Sequence, residues 1–206
     1  MPLLEIELND DVKHSGGPEQ TQLSRKAWRD TARTTREGAK LAELMADLGA
    51  SGCSPRRGMA LEYRCGAGRM CRELGKAFDF VWGVDSETTL LSRARELSPF
   101  EDRIFFSRIA LGELPKHFVG LDFVLASSGF ELMSVESTRA LVRKLMNALA
   151  PGGVLVIESA AWAIPPETVE QDLADIAKSC GCNIISREKL AVCATEVKQR
   201  IVFVQE

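Results

Sequence analysis

A chain of 206 residues with 45% hydrophobic content carries enough apolar surface for one ordinary domain plus a short appendage, which argues against a disordered or multi-domain protein. A formal net charge of −3 and a pI near 5.6 argue against a protein that wraps nucleic acid by bulk electrostatics, so no nucleic-acid partner is expected. No apolar run is long enough to span a membrane, and the first twenty residues lack both a basic start and a continuous apolar stretch. A soluble, cytoplasmic protein is therefore expected.

In chain order, residues 1–20 are polar, acidic and broken by Ser15-Gly16-Gly17-Pro18, and read as a flexible arm. Residues 21–57 form an N-terminal helical cap. Its helix is expected over about 22–48, because Leu41, Leu44, Met45 and Leu48 fall at helical spacing, and Gly49 is placed to stop it. Arg25, Arg29, Arg33 and Arg36 share one side of this helix. They form either a solvated basic face or a set of cations offered to an acidic substrate, with Trp28 as an apolar anchor.

Residues 58–206 form the main domain. Strands are expected at about 59–63, 80–84, 103–107, 121–126 and 153–158, and helices at about 68–76, 88–97, 135–149 and 167–180. Such alternation specifies an α/β fold, a doubly wound, mostly parallel sheet covered on both faces. Residues 183–188 and 200–205 follow one another without an intervening helix, which fits a C-terminal antiparallel hairpin at one sheet edge. The six cysteines read as reduced thiols. Cys180 and Cys182 have one residue between them rather than two, and the two histidines, His14 and His117, complete no zinc tetrad, so no metal is expected.

The chemistry concentrates where the first expected strand ends. Gly66-Ala67-Gly68 opens a helix directly after an apolar strand, a context in which backbone can approach a ligand at a helix N-terminus. Asp85 ends the next strand, where an acid can hold ribose hydroxyls or merely cap the helix beginning near Ser86. A third element, Leu149-Ala150-Pro151-Gly152-Gly153 followed by an apolar strand, joins them.

Together, Leu61-Glu62-Tyr63-Arg64-Cys65-Gly66-Ala67-Gly68, Gly83-Val84-Asp85, Leu121-Asp122-Phe123-Val124 and Leu149-Ala150-Pro151-Gly152-Gly153 resemble the S-adenosylmethionine-dependent methyltransferases of the seven-stranded Rossmann-like class. The resemblance spans about residues 58–206 and implies S-adenosylmethionine as cofactor and S-adenosylhomocysteine as product. It implies Glu62 near the methionine amino group, Gly66 and Gly68 under the cofactor, Asp85 on the ribose hydroxyls, and the adjoining Ser86 among the cofactor-binding residues. Ser127, after the fourth strand, is implied on the cofactor side of its loop. A nicotinamide enzyme fits less well, because Cys71 stands where the dinucleotide pattern wants its third glycine.

Two positions depart from that family. Arg64 replaces the usual first glycine, and it either pairs with Glu62 and fills the pocket or swings aside to bind the cofactor carboxylate. Ala110 aligns with the acid the family often carries beside the adenine amino group. For catalysis, Glu131 in the loop after the fourth strand and Glu158 at the end of the fifth are the candidates. Each orients or deprotonates an acceptor, or is an ordinary exposed acid at an element end. Trp162 with Pro165 and Pro166 forms a wall over the acceptor pocket, or else Trp162 packs as core and the two prolines simply start a helix. The expected function is methyl transfer to a small-molecule or peptide substrate. The alternative is a non-catalytic methyltransferase-like binding or assembly module with an impaired cofactor site.

Overall fold

The computed structural model of the protein describes residues 38–98, 102–159, 162, 164, 168–193 and 196–206. The expectations for the arm at 1–20, for Arg25, Trp28, Arg29, Arg33 and Arg36, and for Pro165 and Pro166 lie outside the described residues.

Seven strands form one sheet: β1 (Met59–Tyr63), β2 (Phe80–Asp85), β3 (Ile104–Arg108), β4 (Leu121–Ala126), β5 (Leu149–Ser159), β6 (Cys182–Cys193) and β7 (Glu196–Gln205). Their order across the sheet is β3-β2-β1-β4-β5-β7-β6. The first five run parallel to their neighbours. The last two are antiparallel, with β7 inserted between β5 and the edge strand β6. Chain direction across the sheet reverses between β1 and β4, and a crevice opens beyond the carboxyl ends of strands at such a switch point.

Two apolar layers follow from the period of two along each strand. Leu61, Tyr63, Val124, Ala126, Leu155, Ile157, Ile201 and Phe203 face one side, where α4 (Val135–Asn147) and α5 (Val169–Ser179) cover them with Leu141, Leu145 and Leu173. Ala60, Val81, Phe123, Leu125, Val154, Val156 and Val202 face the other. There α1 (residues 38–50), α2 (Arg69–Leu74) and α3 (Thr88–Leu97) supply Leu41, Leu44, Leu48, Leu74 and Leu91. Glu62, Glu158, Lys198 and Arg200 occupy the same alternate positions as this second set. Four polar residues are therefore brought to the α1 side of the sheet.

Three boundaries differ from the sequence expectations. Helix α1 passes through Gly49 and stops at Gly52, whose φ of 76° supplies the left-handed turn, with Cys53 N–H bonded back to the Leu48 carbonyl at 2.8 Å. Strand β5 begins at Leu149 rather than 153, because Leu149 already pairs with Leu121. The Pro151-Gly152-Gly153 turn is absorbed as an irregularity in that register. A Cβ at Gly153 would stand 2.5 Å from the Leu121 carbonyl oxygen, so only glycine lets the strands close there. The hairpin strands extend over 182–193 and 196–205, longer than the alternating segments that signal them.

Candidate active site

Strand β1 delivers the glycine turn to the sheet's switch point, and the turn's backbone is left-handed at alternate residues: Arg64 at φ 64°, Gly66 at 53° and Gly68 at 68°. Arg64 thus adopts the conformation a glycine would take freely, at a cost of roughly 1–2 kcal/mol for a residue with a Cβ. Gly66 has nothing within 4 Å of where a Cβ would lie, so its backbone faces open space. Gly68 is closed in, since a Cβ there would meet the Phe106 ring at 2.8 Å and Ala94 at 3.1 Å. Gly68→Ala is expected to lower stability by about 2 kcal/mol, read from a urea unfolding midpoint; an unchanged midpoint would mean that Phe106 and the turn yield freely.

Asp85 is 3% exposed and holds the turn from β2. Its Oδ2 accepts the Gly66 N–H at 2.9 Å and its Oδ1 accepts the Glu87 N–H at 3.0 Å, just ahead of α3. Of the two sequence roles for Asp85, the Glu87 contact matches the one at the helix entry, and the Gly66 contact adds a brace that the sequence reading did not foresee. The carboxylate braces the turn and the helix entry at once.

Arg64 does not join Glu62 in an ion pair among the described residues. Its Nη1 donates to Ser86 Oγ at 3.1 Å, beyond the end of β2, and its stem passes close to Gly129 after β4. Arg64 Nε is buried and has no hydrogen-bond partner in that position. Glu62, 5% exposed, instead accepts from the Cys71 thiol at 2.8 Å, which is what the residue at the third-glycine position does here.

A cavity of about 390 Å³ lies between α1 and the strand ends. Glu62, Arg64, Gly66 and Ser127 line it, with Cys65, Ala67, Arg69 and Met70 from the turn and α2. Lys40, Leu41 and Leu44 of α1 form one wall, and Glu158, Lys198 and Arg200 stand at the far end. Gly68, Asp85, Ser86 and Ala110 do not line it.

The two candidate acids are both engaged. Glu158 Oε1 takes Arg200 Nη2 at 2.8 Å and Nε at 2.9 Å; Arg200 is 5% exposed and has Glu188 at 3.6 Å from Nη1. Glu131 turns back on its own loop, accepting the Gly129 N–H at 3.0 Å, and does not line the cavity. Trp162 packs against Phe130, with ring centres 5.2 Å apart and planes tilted by 35°, and donates to Gln199 Oε1 at 3.0 Å, also outside the cavity lining. His117 is exposed, as its loop position suggests. Among the described residues no group of His, Cys, Asp and Glu could hold a metal ion, and no helix is long and apolar enough to cross a membrane.

Lys40, Arg69, Lys198 and Arg200 were not singled out from sequence. For the last two the signal was present: Lys198 and Arg200 are two apart in an apolar strand, which puts both on one face.

Three buried acids hold their protons tightly. Burial, then its neighbour Cys65 and the Glu62 charge, pushes the Cys71 thiol well up; burial likewise raises the Tyr63 hydroxyl, which accepts the Gly112 N–H at 2.8 Å. Cys182 is pushed up from 9.0 to about 11, chiefly by burial. The unfolded chain releases these protons at ordinary values while the fold retains them, so the stability they contribute is intact below the ordinary values and lost as pH climbs above them. Urea midpoints should hold steady up to pH 8 and fall between about pH 9 and 11; a flat profile across that window would contradict the burial argument.

Residues 60–153, a little under half of the chain, match the family model described as a methyltransferase domain. No curated protein matches the chain in sequence. Solved structures similar to it include the N-methyltransferase NodS from Bradyrhizobium japonicum (TM-score 0.66, 20% identity, 84% of this chain and 97% of that one). Another is magnesium protoporphyrin IX methyltransferase from Synechocystis with bound S-adenosylmethionine (0.63, 18%, 86% and 83%). A third is a TehB-like methyltransferase from Corynebacterium glutamicum (0.63, 20%, 92% and 100%). The fold is that of the Rossmann-like S-adenosylmethionine-dependent methyltransferases.

Proposed function

We propose that the chain binds S-adenosylmethionine at the β1 turn and transfers its methyl group to a small-molecule or peptide acceptor held against β5 and β7. The open backbone at Gly66, braced by Asp85 and facing a 390 Å³ cavity, carries this reading. NodS has been crystallised with S-adenosylhomocysteine and the Synechocystis enzyme with S-adenosylmethionine, which supports the same cofactor here.

The residues present fit this cofactor once Arg64 moves. Glu62 would meet the amino group, Gly66 and Gly68 would lie beneath the cofactor, Ser127 would border it, and Asp85 with Ser86 would hold the ribose. Ala110 offers no carboxylate to the adenine, which forgoes one hydrogen bond, about 1 kcal/mol. Displacing Arg64 from Ser86 costs about one hydrogen bond as well, and it releases the buried Nε from a place without a partner. Bound there, S-adenosylmethionine supplies a methyl group on a sulfonium, ready to leave a neutral thioether behind. The protein's part is to align the acceptor and exclude water, so a dedicated base is not required. Of the two candidate acids only Glu158 lines the cavity, and each would first have to give up the partner it now holds.

Calorimetric titration with S-adenosylmethionine and S-adenosylhomocysteine tests this reading, and micromolar binding is the expected result. Arg64→Gly is expected to tighten S-adenosylhomocysteine about ten-fold, equivalent to ~1.4 kcal/mol. Equal affinities would show that Arg64 does not compete with the cofactor. The second reading, a non-catalytic binding or assembly module, is favoured by the Arg64–Ser86 bond across the cofactor path; the absence of binding by both wild type and Arg64→Gly would select it.

A further inference from the structure

Cations outnumber carboxylates among the described residues of the cavity, in a protein that is acidic as a whole. Lys40, Arg64, Arg69, Lys198 and Arg200 line it there with two carboxylates, Glu62 and Glu158, while the whole chain carries a formal charge of −3. S-adenosylmethionine at neutral pH adds a further net positive charge, from its ammonium and sulfonium against one carboxylate. Loaded with that cofactor, the cavity repels a cationic acceptor and favours an anionic one.

The surplus charge at the far end belongs to Lys198. Glu158 is committed to Arg200, and Glu188 approaches the same guanidinium from β6. No carboxylate among the described residues forms an ion pair with Lys198, two residues along β7 on the same face. Strands β4 and β5 lie between β7 and β1, which sets this end three strand spacings, or about 14 Å, from the β1 turn. Lys198 is thus set apart from the residues that would hold the methionine end. Between the two ends, Leu41, Leu44 and Leu125 give the cavity an apolar wall.

We propose that Lys198 is the anchor for a carboxylate on a small-molecule methyl acceptor, with the Glu158–Arg200 pair as the wall that positions it. A monoanion matches the surplus: Arg200 is already answered by two acids, which leaves one ammonium to be balanced, whereas a phosphate dianion would bring uncompensated charge against Glu158. This assignment rests on the transfer reading above, since it names the acceptor of that site.

The experiment uses the full chain, with and without S-adenosylhomocysteine, titrated by NMR with benzoate, with its neutral counterpart benzamide, and with inorganic phosphate. Wild type is expected to bind benzoate at least ten-fold more tightly than benzamide or phosphate. Lys198→Gln is expected to lose that preference at least ten-fold and Lys198→Arg to keep it, with S-adenosylhomocysteine affinity the same in all three. The proposal is overturned if benzamide binds as well as benzoate, if phosphate binds more tightly, or if Lys198→Gln retains the benzoate affinity. Failure of the transfer reading shows separately, as no binding of S-adenosylhomocysteine by wild type, whatever the anion titrations give.

Discussion

Replacing Asp85 with alanine is expected to lower stability by about 2 kcal/mol and to weaken S-adenosylhomocysteine binding by more than ten-fold. One carboxylate here serves two backbone amides, Gly66 N–H on the turn and Glu87 N–H at the entry to α3. The Glu87 amide lies on an exposed residue and is resolvated by water in the variant, so most of the cost falls on the Gly66 side, where an unpaired donor costs roughly 1–3 kcal/mol. The effect on ligand affinity has two parts, loss of the ribose contact and loss of the brace that keeps Gly66 open. Asp85→Asn separates the brace from the charge only incompletely, because its amide nitrogen must face one of the two N–H groups. It is expected to fall close to the alanine variant. Urea denaturation and calorimetry of the same preparations check both figures, and a variant that is fully stable yet blind to the ligand would assign Asp85 to the ribose alone.

Arg200→Met is expected to cost about 3 kcal/mol. Arg200 is almost entirely enclosed between β5 and β6, and the Glu158 side chain it neutralises is only 16% exposed. Removing the cation strands a largely buried carboxylate, and such losses run to roughly 3–5 kcal/mol when the remaining charge is fully buried. Partial solvent access at Glu158 keeps this one at the lower end. The companion Glu158→Gln substitution in the Arg200→Met background should recover at least half of the loss, since it removes the stranded charge. Urea midpoints of the two single variants and the double variant close the cycle. Simple additivity of the two single effects would mean that the ion pair contributes no coupling.

The sequence made the frame readable because the frame depends on local periods. Alternating apolar segments and helical stripes place β1, β2, β4 and α3 within a residue or so, and the lack of a helix between 188 and 200 exposes the terminal hairpin. What escaped depends on partners far apart in the chain. Glu158 reads as a lone strand-end acid until the antiparallel register of β5 and β7 sets Arg200 directly beside it. Glu62 and Arg64 sit two apart and look like neighbours on a strand, but β1 ends at Tyr63 and the left-handed φ of Arg64 throws its side chain toward Ser86 instead. A helix stop at Gly49 is a reasonable reading of composition. The chain uses Gly52 because that is the glycine at which the backbone turns left-handed.

The left-handed Arg64 also bears on how this sequence can change. Every arginine codon becomes a glycine codon by altering its first base alone, so relief of the backbone strain is a single mutational step away. A library selected only for folding should therefore enrich Arg64→Gly, whereas one selected for the native activity would show whether the guanidinium is what keeps arginine at this position.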